Sequence, residues 1–325
     1  MNPELFRQDI EAKPAALKRL AAVLGDQQPW PNWSADSRML FLGMGSSHYA
    51  NAICAARLRA VGLVATAELA SSSLLPKLRA QDIVIAVSAS GGSEETLATT
   101  RSLTGQCSII AVTNTPGSPI TELAEHTLLM DADQERGGVA CRSFQHTLAL
   151  HLALISRWDP RVDTTALLGQ AATACADIIE TSARWLPDFA DLLLGPAGTT
   201  MVAPAARLSS AQQSALMLRE GPRRPAIACE TGDWSHVDVY LTKTTDYRML
   251  LFPGSPWEAN LLRWTTERAS TVVCAGADLP ASTGSTGAAR SLRYAHDDID
   301  DVRLLSEVTV AELLAAATWG AISST

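Results

Sequence analysis

The sequence is poor in aromatic residues, at 5%, and in charge, at 18%. So few aromatics argue against an all-β sandwich, whose strands lean on aromatic and β-branched side chains. Basic residues are the minority sign: 26 Lys and Arg against 34 Asp and Glu give a formal net charge of −8. That balance argues against a surface built for duplex nucleic acid, so no nucleic-acid partner is expected. No apolar run reaches the ~18 residues of a transmembrane helix, and no membrane segment is expected. Acids at Glu4 and Asp9 interrupt the N-terminal stretch, which therefore does not read as a signal peptide. No C-x-x-C pair occurs among Cys54, Cys107, Cys141, Cys175, Cys229 and Cys274. They read as buried thiols in a reducing, cytoplasmic compartment. The histidines have no ligand spacing such as H-x-x-x-H, so no metal is expected.

What is present is a chain of 325 residues with 47% apolar side chains. That is enough for a packed core and about two domains, and it excludes disorder. Residues 3–24 carry helical spacing divided at Pro14. MLFLGMG (39–45), ATAELA (65–70), DIVIAVSAS (82–90), CSIIAVTN (107–114) and HTLLMDA (126–132) read as strands. Helices are expected over 47–60, 93–103 and 141–158. The pattern restarts after Asp159-Pro160-Arg161, which is taken as the boundary between domains 1–160 and 161–325. A helical region is expected over 164–193, a strand over 200–206 and a helix over 207–220. HVDVYLT (236–242), RMLLFPG (248–254) and TVVCAGA (271–277) read as strands, and PWEANLLRWTTER (256–268) and 308–324 as helices. Alternation of strand and helix predicts an α/β fold with parallel sheets covered on both faces, and its recurrence suggests an internal duplication.

In such sheets, ligands bind past the carboxyl ends of strands. Two hydroxyl-rich loops fall there: Gly45-Ser46-Ser47, and Ser88-Ala89-Ser90-Gly91-Gly92-Ser93. Peptide N–H groups at a helix start bind anions, and serine adds donors without bulk, so a phosphate is the natural guest. Ser47 and Ser93 also fit as plain helix caps, with Glu94 and Glu95 complementing the helix dipole. No G-K-[ST] follows, so the pattern is not a P-loop.

FLGMGSSHYANAICAARLRAVG, DIVIAVSASGGSEETLATTR, SIIAVTNTPGSPITELAEHTLLMDA and ERGGVACRSFQHTLALHLAL resemble, in order and spacing, a sugar isomerase (SIS) domain. The second half resembles the second SIS domain of the glucosamine-6-phosphate synthase isomerase module. The resemblance implies two SIS domains, each a doubly wound, flavodoxin-like αβα unit. It implies that Ser47, Ser88, Ser90 and Ser93 ligate a sugar phosphate, with Gly45, Ser46 and Glu135 near the sugar. ALMLREG and GDWSH resemble the segments that carry the family's catalytic glutamate and histidine, placing Glu220 and His236 in those roles. The implied chemistry is aldose–ketose isomerisation, in which one carboxylate moves a proton between adjacent carbons while the histidine opens the ring. The histidine often comes from the partner subunit, so a homodimer with its site at or near the interface is expected. No cofactor is implied.

Glu220 closes a predicted helix, where the dipole disfavours a carboxylate and raises its pKa. It could equally pair with Arg219, Arg223 or Arg224 at a surface, and His236 could be an ordinary surface residue. Departures from the family are Ala89 for a glutamine, Gln213 and Met217 for an acid and a lysine, and Val237-Asp238 for Gly-Pro. No lysine follows Lys243, so an imine route through a tail lysine is not expected, and Met1-Asn2 is not the start of a glutaminase. Deamination, deglycation of a phosphorylated fructosamine, or phosphosugar binding without catalysis remain open. Trp30 and Trp33 read as a loop anchor.

Overall fold

The computed structural model describes residues 1–26, 28–280 and 288–323. The chain divides into two compact units. One comprises residues 16–135 and 140–169; the other comprises 1–15, 136–139 and 170–325.

Helices α1 (Pro3–Glu11) and α2 (Lys13–Asp26) come first, broken at Ala12, with Pro14 tolerated in the first turn of α2. Then follow β1 (Met39–Gly43), α3 (Ser46–Ala60), β2 (Ala65–Leu69), β3 (Ile83–Val87), α4 (Glu94–Leu103), β4 (Ser108–Thr113), β5 (His126–Leu129) and α5 (Arg142–Ile155). Every residue of β1 and β3 is buried. A strand with both faces covered cannot alternate apolar with polar, which is why MLFLG and IVIAV contain no polar side chain. Burying the five side chains of β3 contributes on the order of 10 kcal/mol before chain entropy is subtracted. The sheet is wholly parallel, in the order β2-β1-β3-β4-β5. Trp30 anchors its loop, 2% exposed, with its indole N–H donating to the Leu150 carbonyl at 2.8 Å.

The second unit continues with α6 (Thr164–Glu180, whose first turn and a half still belongs to the other unit), α7 (Ser182–Leu193), β6 (Thr199–Ala203), α8 (Leu208–Glu220), β7 (Ala226–Glu230) and α9 (Thr231–Trp234). It ends with β8 (Arg248–Leu251), α10 (Glu258–Glu267), β9 (Thr271–Ala275), β10 (Ala289–Leu292), α11 (Asp300–Ser306) and α12 (Val308–Ser323). Its parallel sheet has the order β10-β9-β8-β6-β7. Read from the other edge, this is the strand order of the first sheet. The α/β class and the doubly wound parallel sheets expected from the sequence are what the fold contains.

Two expectations are corrected. HVDVYLT is not a strand: residues 238–243 form a 3-10 helix, and the strand at that place is Ala226–Glu230. The alternation Val-Asp-Val-Tyr-Leu imitates period two, but Asp238 and Val239 are both buried, as a helical turn allows and a half-exposed strand does not. The strand Ala289–Leu292 was not anticipated; only Leu292 of its four residues is buried. Residue 324 of the expected last helix lies outside the described residues.

The run 300–323 is long and apolar enough to cross a membrane, yet 67% of its most apolar window is buried within the protein. It packs on α1, α7 and α8, which marks it as a core helix. All six cysteines are buried and none forms a disulfide.

Candidate functional site

In the first sheet, β1 and β3 are neighbours whose following helices diverge: α3 leads to β2 on one side, α4 to β4 on the other. A crevice opens past the carboxyl ends of two such strands. Both serine loops leave from it.

The first loop is held by two glycines. A Cβ on Gly43 would come within 2.9 Å of Ser47 Cβ and 3.0 Å of Asn51 Nδ2, so α3 lies directly on the strand end. Gly45 has φ +49° and caps α3 without any side chain. Ser46 and Ser47 form the first turn of α3 and are half-buried. The half-buried His48 follows; burial pulls its imidazole below the ordinary value, offset in part by the Glu68 carbonyl and carboxylate. Its Nδ1 is buried without a hydrogen-bond partner.

The second loop is stitched from behind by the end of β4. Ala89 O accepts from the Asn114 N–H at 3.0 Å, from Thr113 Oγ1 at 3.2 Å and from Thr115 Oγ1 at 3.3 Å. Gly91 has φ +65°, and a Cβ there would lie 1.9 Å from Ser118 Oγ. Ser88 is buried at the strand end, and its carbonyl accepts the Gly91 N–H at 2.9 Å. Ser90 is exposed, and its Oγ accepts the Gly92 N–H at 3.2 Å. Ser93 Oγ caps α4 by accepting from the Thr96 N–H at 3.4 Å, and donates to Glu95 Oε2 at 3.0 Å. Neither loop contains Lys or Arg. An anion at this crevice would meet hydroxyls and helix-start N–H groups.

Glu135 is engaged by its own chain. Its Oε1 accepts from the N–H groups of Cys141, Arg142 and Ser143 at 2.6, 2.7 and 3.0 Å, and its Oε2 from Ser143 Oγ at 2.7 Å. It caps α5 at long range. Arg142, in the first turn of α5, is buried and donates to the Gln134 carbonyl at 2.8 Å.

Glu220 and His236 belong to the other unit. Glu220 is the last residue of α8 and is exposed. A Cβ on the following Gly221 would lie 3.0 Å from Trp319 Cε3, so α12 closes against this helix end. His236 follows α9, exposed, with its N–H on the Asp233 carbonyl at 2.8 Å. Burial and Asp233 raise the nearby Asp238 carboxyl above its usual value. Since α8 runs back along the sheet to the start of β7, Glu220 stands before that strand and His236 after it. The two are not brought together within one chain.

Sequence reasoning passed over Arg207. It sits just past the carboxyl end of β6 and is 1% exposed, with Glu307, Asp300 and the Pro253 carbonyl around its guanidinium. The segment APAARLSS gives no local sign of partners a hundred residues away.

Residues 33–157 match the family model described as SIS domain. They include β1 through β5 and every serine of both loops. No curated protein matches the chain in sequence. Among solved structures, the C-terminal domain of glucosamine-fructose-6-phosphate aminotransferase from Francisella tularensis is similar at TM-score 0.78 and 14% identity, covering 98% of this chain and 96% of that one. Tagatose-6-phosphate ketose/aldose isomerase from Escherichia coli has TM-score 0.78 and 17% identity, covering 98% and 93%. Glucosamine-6-phosphate deaminase from Thermotoga maritima has TM-score 0.75 and 16% identity, covering 98% and 95%. At these identities the likeness is one of fold, and it extends over both units.

Proposed function

We propose that this protein is a phosphosugar isomerase acting on a hexose phosphate or an amino-sugar 6-phosphate. The observation that carries the reading is the pair of serine loops at the carboxyl ends of β1 and β3, inside the segment that matches the SIS domain. Ser47, Ser88, Ser90 and Ser93 hold the phosphate, with Gly45, Ser46 and Glu135 bordering the sugar. The equal strand order of the two sheets supports two SIS domains, divided near residue 160.

Glu220 takes a proton from one sugar carbon and returns it to the next, and His236 promotes ring opening. An enediol route needs one base able to do both transfers. Because Glu220 and His236 stand at opposite ends of β7, a single sugar meets them only if they come from different chains. That supports a homodimer in which His236 serves the partner's site. The reaction runs in the cytoplasm and needs no cofactor. Loss of ammonia from C2, or deglycation of a fructosamine phosphate, would use the same base.

One observation favours a second reading: both catalytic candidates, Glu220 and His236, are exposed. On that reading the chain binds phosphosugars without turning them over.

The test is incubation with glucosamine-6-phosphate, glucose-6-phosphate, fructose-6-phosphate and a fructosamine-6-phosphate, following ammonia release and ketose–aldose exchange. Turnover that Glu220→Gln abolishes while binding persists supports the enzyme. A thermal shift without turnover on any of them supports the binder. Absence of any shift overturns the phosphate site.

A further inference from the structure

Arg207 stands in the second sheet where the serine loops stand in the first. The strand order of that sheet reverses between β6 and β8, and Arg207 follows β6 directly. Its Nε donates to Glu307 Oε1 at 3.1 Å, its Nη1 to Asp300 Oδ1 at 2.5 Å and its Nη2 to the Pro253 carbonyl. A second guanidinium is beside it. Arg303 Nη2 donates to the Gly276 carbonyl at 2.9 Å, and its Nη1 lies 3.4 Å from the same Asp300 oxygen. One carboxylate oxygen thus bridges two guanidinium groups.

Two glycines let the backbone approach these groups closely. Gly254, past β8, has φ +118°, and a Cβ there would lie 3.3 Å from Arg303 Nη1 and 3.5 Å from Arg207 Nη1. Gly276, past β9, has φ +110°, and its Cβ would lie 3.3 Å from the Tyr294 hydroxyl and 3.4 Å from Arg303 Nε. One buried donor of this cluster, Arg303 Nε, has no hydrogen-bond partner. Groups left in that condition are costly unless something completes them. Asp300 differs from the rest: its side chain is 67% exposed, against 2% for Arg207, 12% for Arg303 and 0% for Glu307. It alone of the four reaches well into solvent.

We propose that this crevice is a second anion site, which takes the phosphate group of a small phosphomonoester, and that Asp300 fills it as a displaceable internal ligand. With Asp300 in place, two guanidinium and two carboxylate charges cancel. With it turned out, Arg207, Arg303 and Glu307 leave one net positive charge. The Nη1 groups of Arg207 and Arg303, which share the Asp300 oxygen, are then released to donate to phosphate oxygens. The two units thereby hold phosphate by different chemistry, hydroxyls and peptide N–H groups in one and guanidinium pairs in the other.

The test is calorimetric titration of the full chain with inorganic phosphate. Two phosphates per chain are expected, one lost in Ser88→Ala/Ser90→Ala and the other in Arg303→Gln. Asp300→Asn removes the competing carboxylate and tightens the second event up to about fivefold. One phosphate per chain in both the parent and Asp300→Asn, lost with the serine pair, overturns the second site and leaves the sugar site standing. One phosphate that survives the serine substitutions and disappears in Arg303→Gln upholds the second site and overturns the sugar-phosphate reading. Should Arg303→Gln fail to fold, the Asp300→Asn titration decides.

Discussion

Glu220 precedes β7 and His236 follows it, so the length of that strand separates them. Five residues of parallel strand span about 16 Å, far beyond what one hexose bridges. Chains carrying Glu220→Gln and chains carrying His236→Ala should each be inactive alone. Mixed after unfolding and refolding together, they should recover about a quarter of parental activity, since half of the randomly paired dimers hold one intact site. No recovery from the mixture, with dimers present by light scattering, rules out action across the dimer.

The serines of the two loops separate by the bonds they already make. Ser93 spends its hydroxyl on capping α4, so Ser93→Ala should lower stability by about 1 kcal/mol, with a modest effect on phosphosugar affinity. Ser88 and Ser90 should behave oppositely: Ser88→Ala/Ser90→Ala should abolish the thermal shift with phosphosugars while leaving the unliganded melting temperature within a few degrees. Thermal melts with and without fructose-6-phosphate read both effects.

Gly91 is fixed by its surroundings as well as by its backbone. An alanine there meets Ser118 Oγ at 1.9 Å and Ser118 Cβ at 2.5 Å, in a φ of +65°. Gly91→Ala should cost more than about 2 kcal/mol and weaken phosphosugar binding by shifting Ser88 and Ser90. Adding Ser118→Gly removes the clash but not the strained φ, so it should restore part of both. Urea unfolding and a binding titration on the three chains test this.

Acid stability should depend on His146. Burial lowers its imidazole to about 4, with Arg142 and Arg19 acting in the same direction and the Met130 carbonyl and Asp133 against it. Its Nδ1 lies 2.7 Å from that carbonyl. The folded form therefore binds fewer protons than the unfolded chain below the ordinary histidine value near 6.5. The stabilisation is whole above that value and is lost as pH falls toward 4, up to about 3 kcal/mol. The melting temperature should drop between pH 6.5 and 4 more steeply in the parent than in His146→Gln. Parallel slopes for the two chains would refute this.

The buried strands were legible because burial on both faces writes itself into the sequence as unbroken apolar runs, as in IVIAV and MLFLG. The serine loops were legible for a related reason: strand, glycine, serine and helix follow one another within a few residues. β7 was missed because it is a short edge strand after Pro225, while VDVYLT offered a better alternation nearby. The resemblance places Glu135 near the sugar, and its capping of α5 needs a loop that turns back over five residues, which no spacing rule announces. The Arg207 cluster was beyond reach, since its partners Asp300 and Glu307 are recruited by the folded sheet from another part of the chain.

The first helix belongs with the last. Phe6 is buried with its ring centroid 6.3 Å from that of Trp319, and Lys13, 1% exposed, pairs with the buried Glu312. During synthesis α1 emerges about three hundred residues before α12, so Phe6 and Lys13 wait that long for Trp319 and Glu312. A chaperone or a crowded polysome would meet the Phe6 and Ile10 face of that helix before the protein can hide it. Rearranging the chain so that α12 is followed by a short linker and α1 would let the pair zip at once.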